Sequence, residues 1–346
     1  MLQKQVCSIK RAALKCGTAW FSGAICGVLL LGYTACGMDE WQPTEFDLRE
    51  SPTALSLRAI TFANSDTGYA VGGREYSDGV ILRSTDGGNT WAVCMDNATL
   101  NKTLYDLSIC ADGRVWASAF DSKILYSDNS GATWQIIQTG APDLAWQPLR
   151  AMAWTSDSTA TIVGGQATFT GVSLLLDAHS QAAQYQTLVG QLNDITYVAP
   201  TNMLYACGYG VAYRSADGGQ TWQNMELRGD EWVAICFPSS DLGYVAGRQG
   251  SLYKTTDGGN TWQNLHRESV WRIGGRHQFN ALLFVSDTEG WVAGDGLLWH
   301  TQDGGNTWQS YKGGDIDRHQ FNALALRPNG EIWAAGDNGI ICRIAP

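Results

Sequence analysis

Four aspartates recur in one setting: Asp86 in STDGGNTW, Asp217 in SADGGQTW, Asp257 in TTDGGNTW and Asp303 in TQDGGNTW. Asn129 takes the same place in SDNSGATW. Each has a hydroxyl two residues before it, a threonine four residues after it, and then a tryptophan: Trp91, Trp134, Trp222, Trp262 and Trp308. Carboxylates among hydroxyls and glycines are the raw material of a calcium loop or a general acid. They are equally the material of a hairpin turn. There the carboxylate accepts bonds from turn amides, a glycine such as Gly88 takes a positive φ, and the indole fills a gap between sheets. The hydroxyl–carboxylate–glycine–threonine–tryptophan order fits the turn at every position, so these residues are read as structural.

A second stretch carries different chemistry. RHQFNAL occurs twice, from Arg276 to Leu282 and from Arg318 to Leu324, 42 positions apart. It brings Arg276, His277, Arg318 and His319 into equivalent places, and Arg58, Trp146, Arg150, Trp232 and Trp271 lie at neighbouring junctions. Arginines mixed with aromatics are what interaction hot spots and ring-stacking ligand sites use. These nine residues form the candidate binding face.

The elements that position them follow from the period. Short alternating apolar runs ending in small residues (GYAVGG, VWASAF, TIVGGQ, LYACGY, GYVAGR, GWVAGD, IWAAGD) recur every 40 to 50 residues, with a strand on either side. With the strand after each tryptophan, a unit has four strands, and seven such units make a β-propeller. The third unit lacks the turn motif, with Tyr185 in the tryptophan's slot. The seventh unit has three strands, through GIICRI, and the expected fourth is the N-terminal EWQPTEF, Glu40 to Phe46. The expected fold is all-β, a single seven-bladed ring over residues 36–346 closed by that strand. Forty-two residues is one blade, so both copies of the heptad sit at junctions around the channel mouth, opposite the motif turns. Duplication of a blade accounts for the heptad equally well, with Phe279 and Phe321 packing.

Residues 1–35 read as a leader. Lys4, Lys10, Arg11 and Lys15 precede the apolar GTAWFSGAICGVLLLGYTA and then Cys36. LLLGYTAC resembles a bacterial lipobox, which implies cleavage before Cys36 and lipidation of its thiol, against an ordinary secretory leader as the alternative. Four residues between Cys36 and Trp41 would hold the ring within about 15 Å of the anchor. The cell envelope of a bacterium is then the expected location. Four of the 23 basic residues lie in the leader, leaving 19 against 33 acidic ones. So acidic a chain is not built for nucleic acid. Cys94, Cys110, Cys207, Cys236 and Cys342 have no CxxC spacing, and the five histidines are scattered, so neither a disulfide framework nor a metal is expected. No cofactor is expected either.

The turn motif is similar to the Asp-box of the bacterial neuraminidase repeat. The unit from Phe62 to Trp91 resembles the repeat of the photosystem II assembly-factor propeller family. That resemblance implies a seven-bladed, lumenal or lipid-anchored propeller that assists assembly of membrane-protein complexes. A sialidase would have six blades and a Phe/Tyr-Arg-Ile-Pro motif before the first box, whereas the nearest string is WRIG at Trp271. A glycosidase also needs two carboxylates facing one bond. Asp194, Asp230, Glu231, Asp315 and Asp317 fall near the channel face without singling out a pair. The expected role is therefore a non-catalytic, membrane-anchored scaffold with a protein partner, and the rival classes are a glycan-binding module and a hydrolase.

Overall fold

The computed structural model describes residues 45–96, 100–139, 144–166, 170–266, 277–311 and 316–345. They form seven four-stranded antiparallel sheets. In chain order the blades cover residues 57–95, 104–138, 149–189, 192–224, 232–266 and 279–310. The seventh combines 321–345 with Glu45–Arg49. Ring closure follows the expectation. Glu45–Arg49 pairs antiparallel with Ile341–Ala345, Glu45 opposite Ala345 and Arg49 opposite Ile341. The strand lies at the C-terminal end of the predicted stretch and three residues beyond it. Trp41, Cys36 and the leader lie outside the described residues.

Every innermost strand begins with the same four-residue pattern: a large apolar residue, a variable one, a small one, an apolar one. The quartets are LRAI at 57, LYDL at 104, LRAM at 149, LNDI at 192, WVAI at 232, and FNAL at 279 and 321. The register against the second strand slips between the first and third residue in all seven blades. A bulge at this place frees the second residue from the ladder and re-aims its side chain. The first residue is buried in every blade. The bulge brings the preceding carbonyl against the end of the second strand, so the residue there is glycine in six blades and alanine, Ala119, in the second. A Cβ on Gly208 would lie 1.8 Å from the Gln191 carbonyl, and one on Gly336 1.9 Å from that of Gln320. This is why the second strands end in small residues.

The opposite face carries the motif turns. In the first blade Asp86 accepts from Ser84 Oγ at 2.9 Å, from the Thr90 amide at 2.9 Å and from Thr90 Oγ1 at 2.7 Å. The Gly88 amide donates to Ser84 Oγ at 2.8 Å, and the Trp91 indole to the Gly88 carbonyl at 3.1 Å. The hydroxyl and amide bonds recur around Asp217, Asp257 and Asp303. Asn129 reproduces them, its Nδ2 donating to Thr133 Oγ1 at 2.8 Å where the carboxylate would accept. These bonds hold the Asp217 and Asp257 carboxyls down to about 2, the threonine contacts being the largest cause.

The turns also lock neighbouring blades. A residue near the start of one blade's second strand reaches the next blade's turn. Thr161 Oγ1 donates to Gly218 O at 2.8 Å, Tyr205 Oη to Gly258 O at 3.2 Å and Tyr244 Oη to Gly304 O at 2.9 Å. Trp333 packs where a Cβ on Gly88 would lie, 2.4 Å from its ring.

The third blade departs from the pattern. Its turn is built on Asp177, which accepts from the His179 and Ser180 amides at 3.0 and 2.7 Å. Tyr185 stands inside the outer strand opposite Leu174 and is not tucked like the buried Trp91 and Trp134.

Because Asn129 keeps the network, Asp86→Asn is expected to leave the melting temperature near wild type. Asp86→Ala, which removes the acceptor, should lower it by about 2–4 °C. Thermal denaturation of both variants checks this, and equal losses would refute the turn assignment.

Candidate functional site

The bulged second residues line the mouth of the central channel: Arg58, Tyr105, Arg150, Asn193, Val233, Asn280 and Asn322. They surround a cavity of about 710 Å³ together with residues from the second-to-third strand loops, among them Arg74, Glu75, Arg248 and Asp337. Each loop is fixed by the same bond. A residue at or just past the end of the second strand donates its amide to the carbonyl just before an innermost strand, as in Gly73 to Ser56, Phe120 to Thr103 and Asp337 to Gln320.

Three of the asparagines hold blades together. Asn193 Nδ2 donates to the Trp232 carbonyl at 2.8 Å, Asn280 Nδ2 to Phe321 O at 3.1 Å and Asn322 Nδ2 to Leu57 O at 3.0 Å. In each case the acceptor is the first residue of the next blade's innermost strand. Two aspartates do the same from the third position, which is alanine in the other five blades. Asp106 accepts from its neighbour Leu107 and from Met152 of the next blade, both at 2.8 Å. Asp194 accepts from Ile195 and Ile235, both at 2.8 Å. Burial between the blade walls pushes the Asp106 carboxyl up to about 7 and that of Asp194 to about 6, outweighing the amide bonds.

Most of the cations gather on the first three blades, while Arg248 of the fifth is paired with Glu231 at 3.1 Å. Tyr105 is buried between two guanidinium groups, Arg58 at 5.2 Å and Arg150 at 5.0 Å from its ring centre. Its hydroxyl donates to Glu75 Oε1 at 2.9 Å, and Arg150 lies 3.8 Å from the same carboxylate. Among the described residues, the buried Nε of Arg58 and that of Arg150 have no hydrogen-bond acceptor. Outward from this sandwich, Lys102 Nζ donates to the Tyr76 carbonyl at 3.1 Å and faces the rings of Tyr76, Phe120 and Trp146 at 5.2–5.9 Å. Tyr76 and Trp146 are 60% and 61% exposed, and Trp146 has φ +68°, a conformation that a bulky residue adopts only where its surroundings impose it. The first three blades thus present cations and open aromatic faces around one channel entrance.

The structure divides the residues that the sequence singled out. Arg58 and Arg150 share the channel mouth, and Trp146 stands on the same rim. Trp232 does not. It occupies the buried first position where other blades carry Leu or Phe, is fully buried, and donates its indole N–H to Leu227 O at 3.3 Å. His277 is exposed and packs edge-on to Trp299 at 5.4 Å. Arg318 is exposed in the short 3-10 turn Ile316–Arg318, and His319 is half-buried beside Phe321. Trp271 and Arg276 lie outside the described residues, as does Asp315. The FNAL half of the doubled heptad is accounted for by packing and the asparagine bonds. Tyr105, Lys102, Tyr76 and Glu75 were missed. The quartets at the innermost-strand starts, once aligned, would have marked Tyr105. Among the described residues no cluster of three or more His, Cys, Asp or Glu is placed to hold a metal ion.

Residues 222–315 match the family model described as photosynthesis system II assembly factor YCF48. A solved structure described as YCF48 bound to D1 peptide is similar over 90% of this chain and 100% of that one, with TM-score 0.71 and 18% identity. YCF48 from Cyanidioschyzon merolae gives 0.66 at 18% identity over 87% and 98% of the two chains. The virginiamycin B lyase from Staphylococcus aureus gives 0.69 at 13% over 87% and 100%. No curated protein matches. The chain is a seven-bladed propeller similar to the assembly factor, and at these identities the structural likeness speaks for the fold alone.

The raised carboxyls have a definite sign. Asp106 holds its proton up to about pH 7 when folded and releases it near 3.8 when unfolded. Its contribution to stability is full below about 4 and lost as pH rises through 7. Urea unfolding between pH 5 and 8 should show declining stability, with a shallower slope in Asp106→Asn. An unchanged slope would mean that Asp106 is not the titrating group.

Proposed function

We propose that this protein is a non-catalytic binding scaffold that assists the assembly or stability of a membrane-protein complex by gripping a segment of a partner polypeptide at the channel mouth of its first three blades. The observation that carries the reading is the Arg58–Tyr105–Arg150 sandwich. In a chain with 33 acidic and 23 basic residues, two buried guanidinium Nε–H groups without acceptors stand at the entrance to an open cavity. Both guanidinium groups also line that cavity, and a carboxylate-bearing peptide entering it offers them an acceptor in the favoured geometry. The exposed Trp146 and Tyr76 beside them offer apolar area of the kind that interaction hot spots use.

A non-catalytic role is supported by what the channel carboxylates do. Asp106 and Asp194 each accept one backbone amide from their own strand and one from the next blade, so these channel carboxylates act as staples between blades. The partner of the similar propeller whose structure is described as bound to D1 peptide favours a protein over a glycan as the ligand here. We place the protein on the envelope membrane of a bacterium, held by lipid on Cys36 after loss of residues 1–35.

Affinity capture from solubilised membranes tests this. Wild type should retain a membrane protein, and the Arg58→Ala, Arg150→Ala double variant should lose at least tenfold of it while melting like wild type. Retention by both proteins alike would refute the channel-mouth site. A glycan array that lights up with wild type and fades with the double variant would replace the protein partner by a sugar.

A further inference from the structure

We infer that the outer edge of the third blade is a docking site for an extended, uncharged segment of a partner polypeptide, which adds to that sheet as a fifth strand. The site lies apart from the channel mouth and does not depend on it.

The inference starts from the missing turn motif. In the motif blades the chain reaches its outer strand only after the tryptophan, and the outer strands are short: Ala92–Met95, Gln135–Gln138, Gln223–Asn224, Gln263–His266 and Gln309–Ser310. The third blade turns tightly on Asp177 and pairs at once. Ala183–Val189 runs seven residues, opposite Thr170–Leu176 without a register shift. By contrast, the ladders to Ala92–Met95 and Gln263–His266 both slip. Sheet order ends at Ala183–Val189, so among the described residues one side of this long, regular strand has no partner within its sheet.

Proteins usually guard such an edge with Lys, Pro, a bulge or brevity. AQYQTLV has none of these and carries no charge. It is also rigidly presented. Gln186 Nε2 donates to the Gly219 and Gln220 carbonyls at 2.7 and 3.0 Å, and Tyr213 Oη to Val189 O at 2.9 Å, pinning the strand to the fourth blade. Val189 is 68% exposed and shares a face with Thr187 and Tyr185, residue types that favour cross-strand pairing. A cleft of about 240 Å³ beside Gln184, Gln186 and Gln220 gives room for a side chain of an added strand.

The occupant is a peptide and not a second copy of this chain. Pairing seven residues edge to edge buries far less than the roughly 1,000 Å² that a stable interface needs, and two copies would bring together two strongly acidic chains. An uncharged extended segment meets no such repulsion and makes a small, transient contact in which backbone bonds supply the affinity and the cleft the selectivity.

The probe is an acetylated, fluorescein-labelled TGVSLLL peptide, the sequence that already pairs with this strand in register from inside the sheet. Fluorescence polarisation with the full chain should show saturable binding. Thr187→Lys, Val189→Lys should weaken it at least tenfold with the melting temperature unchanged. Arg58→Ala, Arg150→Ala should bind the probe like wild type, so failure here and failure at the channel mouth are distinguishable. Three results would overturn the inference: no saturable binding to wild type, equal binding to the lysine variant, or a dimer in sedimentation that the lysine variant abolishes. The last would assign the edge to a second copy.

Discussion

The bulge at the second residue of each innermost strand is the constraint on which the rest depends. It sets two residues against one, so the first side chain goes into the blade core while the second is turned to the channel. The carbonyl before the bulge then presses on the second strand, and the glycine at Gly208 or Gly336 is the answer to that pressure. Bulge, small residue and channel residue form one unit, repeated seven times with glycine in six blades and Ala119 in the second, and a backbone amide from the end of the second strand is bonded across it. Because the second residue is released from the ladder, Arg, Tyr, Asn and Val all fit there. Chemistry varies at that place without disturbing the sheet.

A ring of sheets has seams, and side chains close them at both faces. On the channel side asparagine and aspartate reach the next innermost strand. On the turn side a hydroxyl or a ring from the second strand reaches the next turn. The seam between the seventh and first blades is tied by both devices, with Asn322 on Leu57 O and Trp333 under Gly88, and by the Arg327 guanidinium on the Ser65 carbonyl. In the seventh blade Arg343 lies 3.5 Å from Asp47, across the outer pair of strands, and 3.3 Å from Glu331, just ahead of the second strand. This is the blade assembled from segments about 300 residues apart, where chain connectivity gives the least help and loop closure costs the most. Dense bonding there is what such a closure requires.

The blade count, the turn network and the closing strand could all be read from the sequence, because each rests on local chemistry repeated at a fixed period. Asp86, Asn129 and Asp217 announce their turns within eight residues. The binding face was legible only in part. Arg58 and Arg150 stood out as arginines at junctions, and the channel received them. Trp232 stood out for the same reason and went to the core, because its neighbours' Leu and Phe occupy the same register place and the one-position shift that separates core from channel is set by the bulge. A bulge has no residue signature of its own in a single blade. Tyr105 and the stapling asparagines become visible only when seven quartets are aligned. Lys102 and Tyr76 come from different loops of one face, and nothing in their spacing announces that they meet.

The third blade shows how the fold absorbs the loss of one motif. Without the tucked indole it gains a ladder of seven pairs, and Gln181 donates to the Tyr126 hydroxyl at 3.0 Å to tie its turn to the second blade. Blade stability is thus transferred from a buried side chain to backbone pairing and amide bonds at the seams. That exchange leaves the ring intact and changes what the blade shows to its surroundings. A repeat fold in which each sheet touches only its neighbours tolerates such a change locally. Departures from the repeat then mark places where the outer surface has acquired its own character. The cationic entrance and the unguarded edge both arise in this way, the first from substitution at a bulge and the second from loss of a turn.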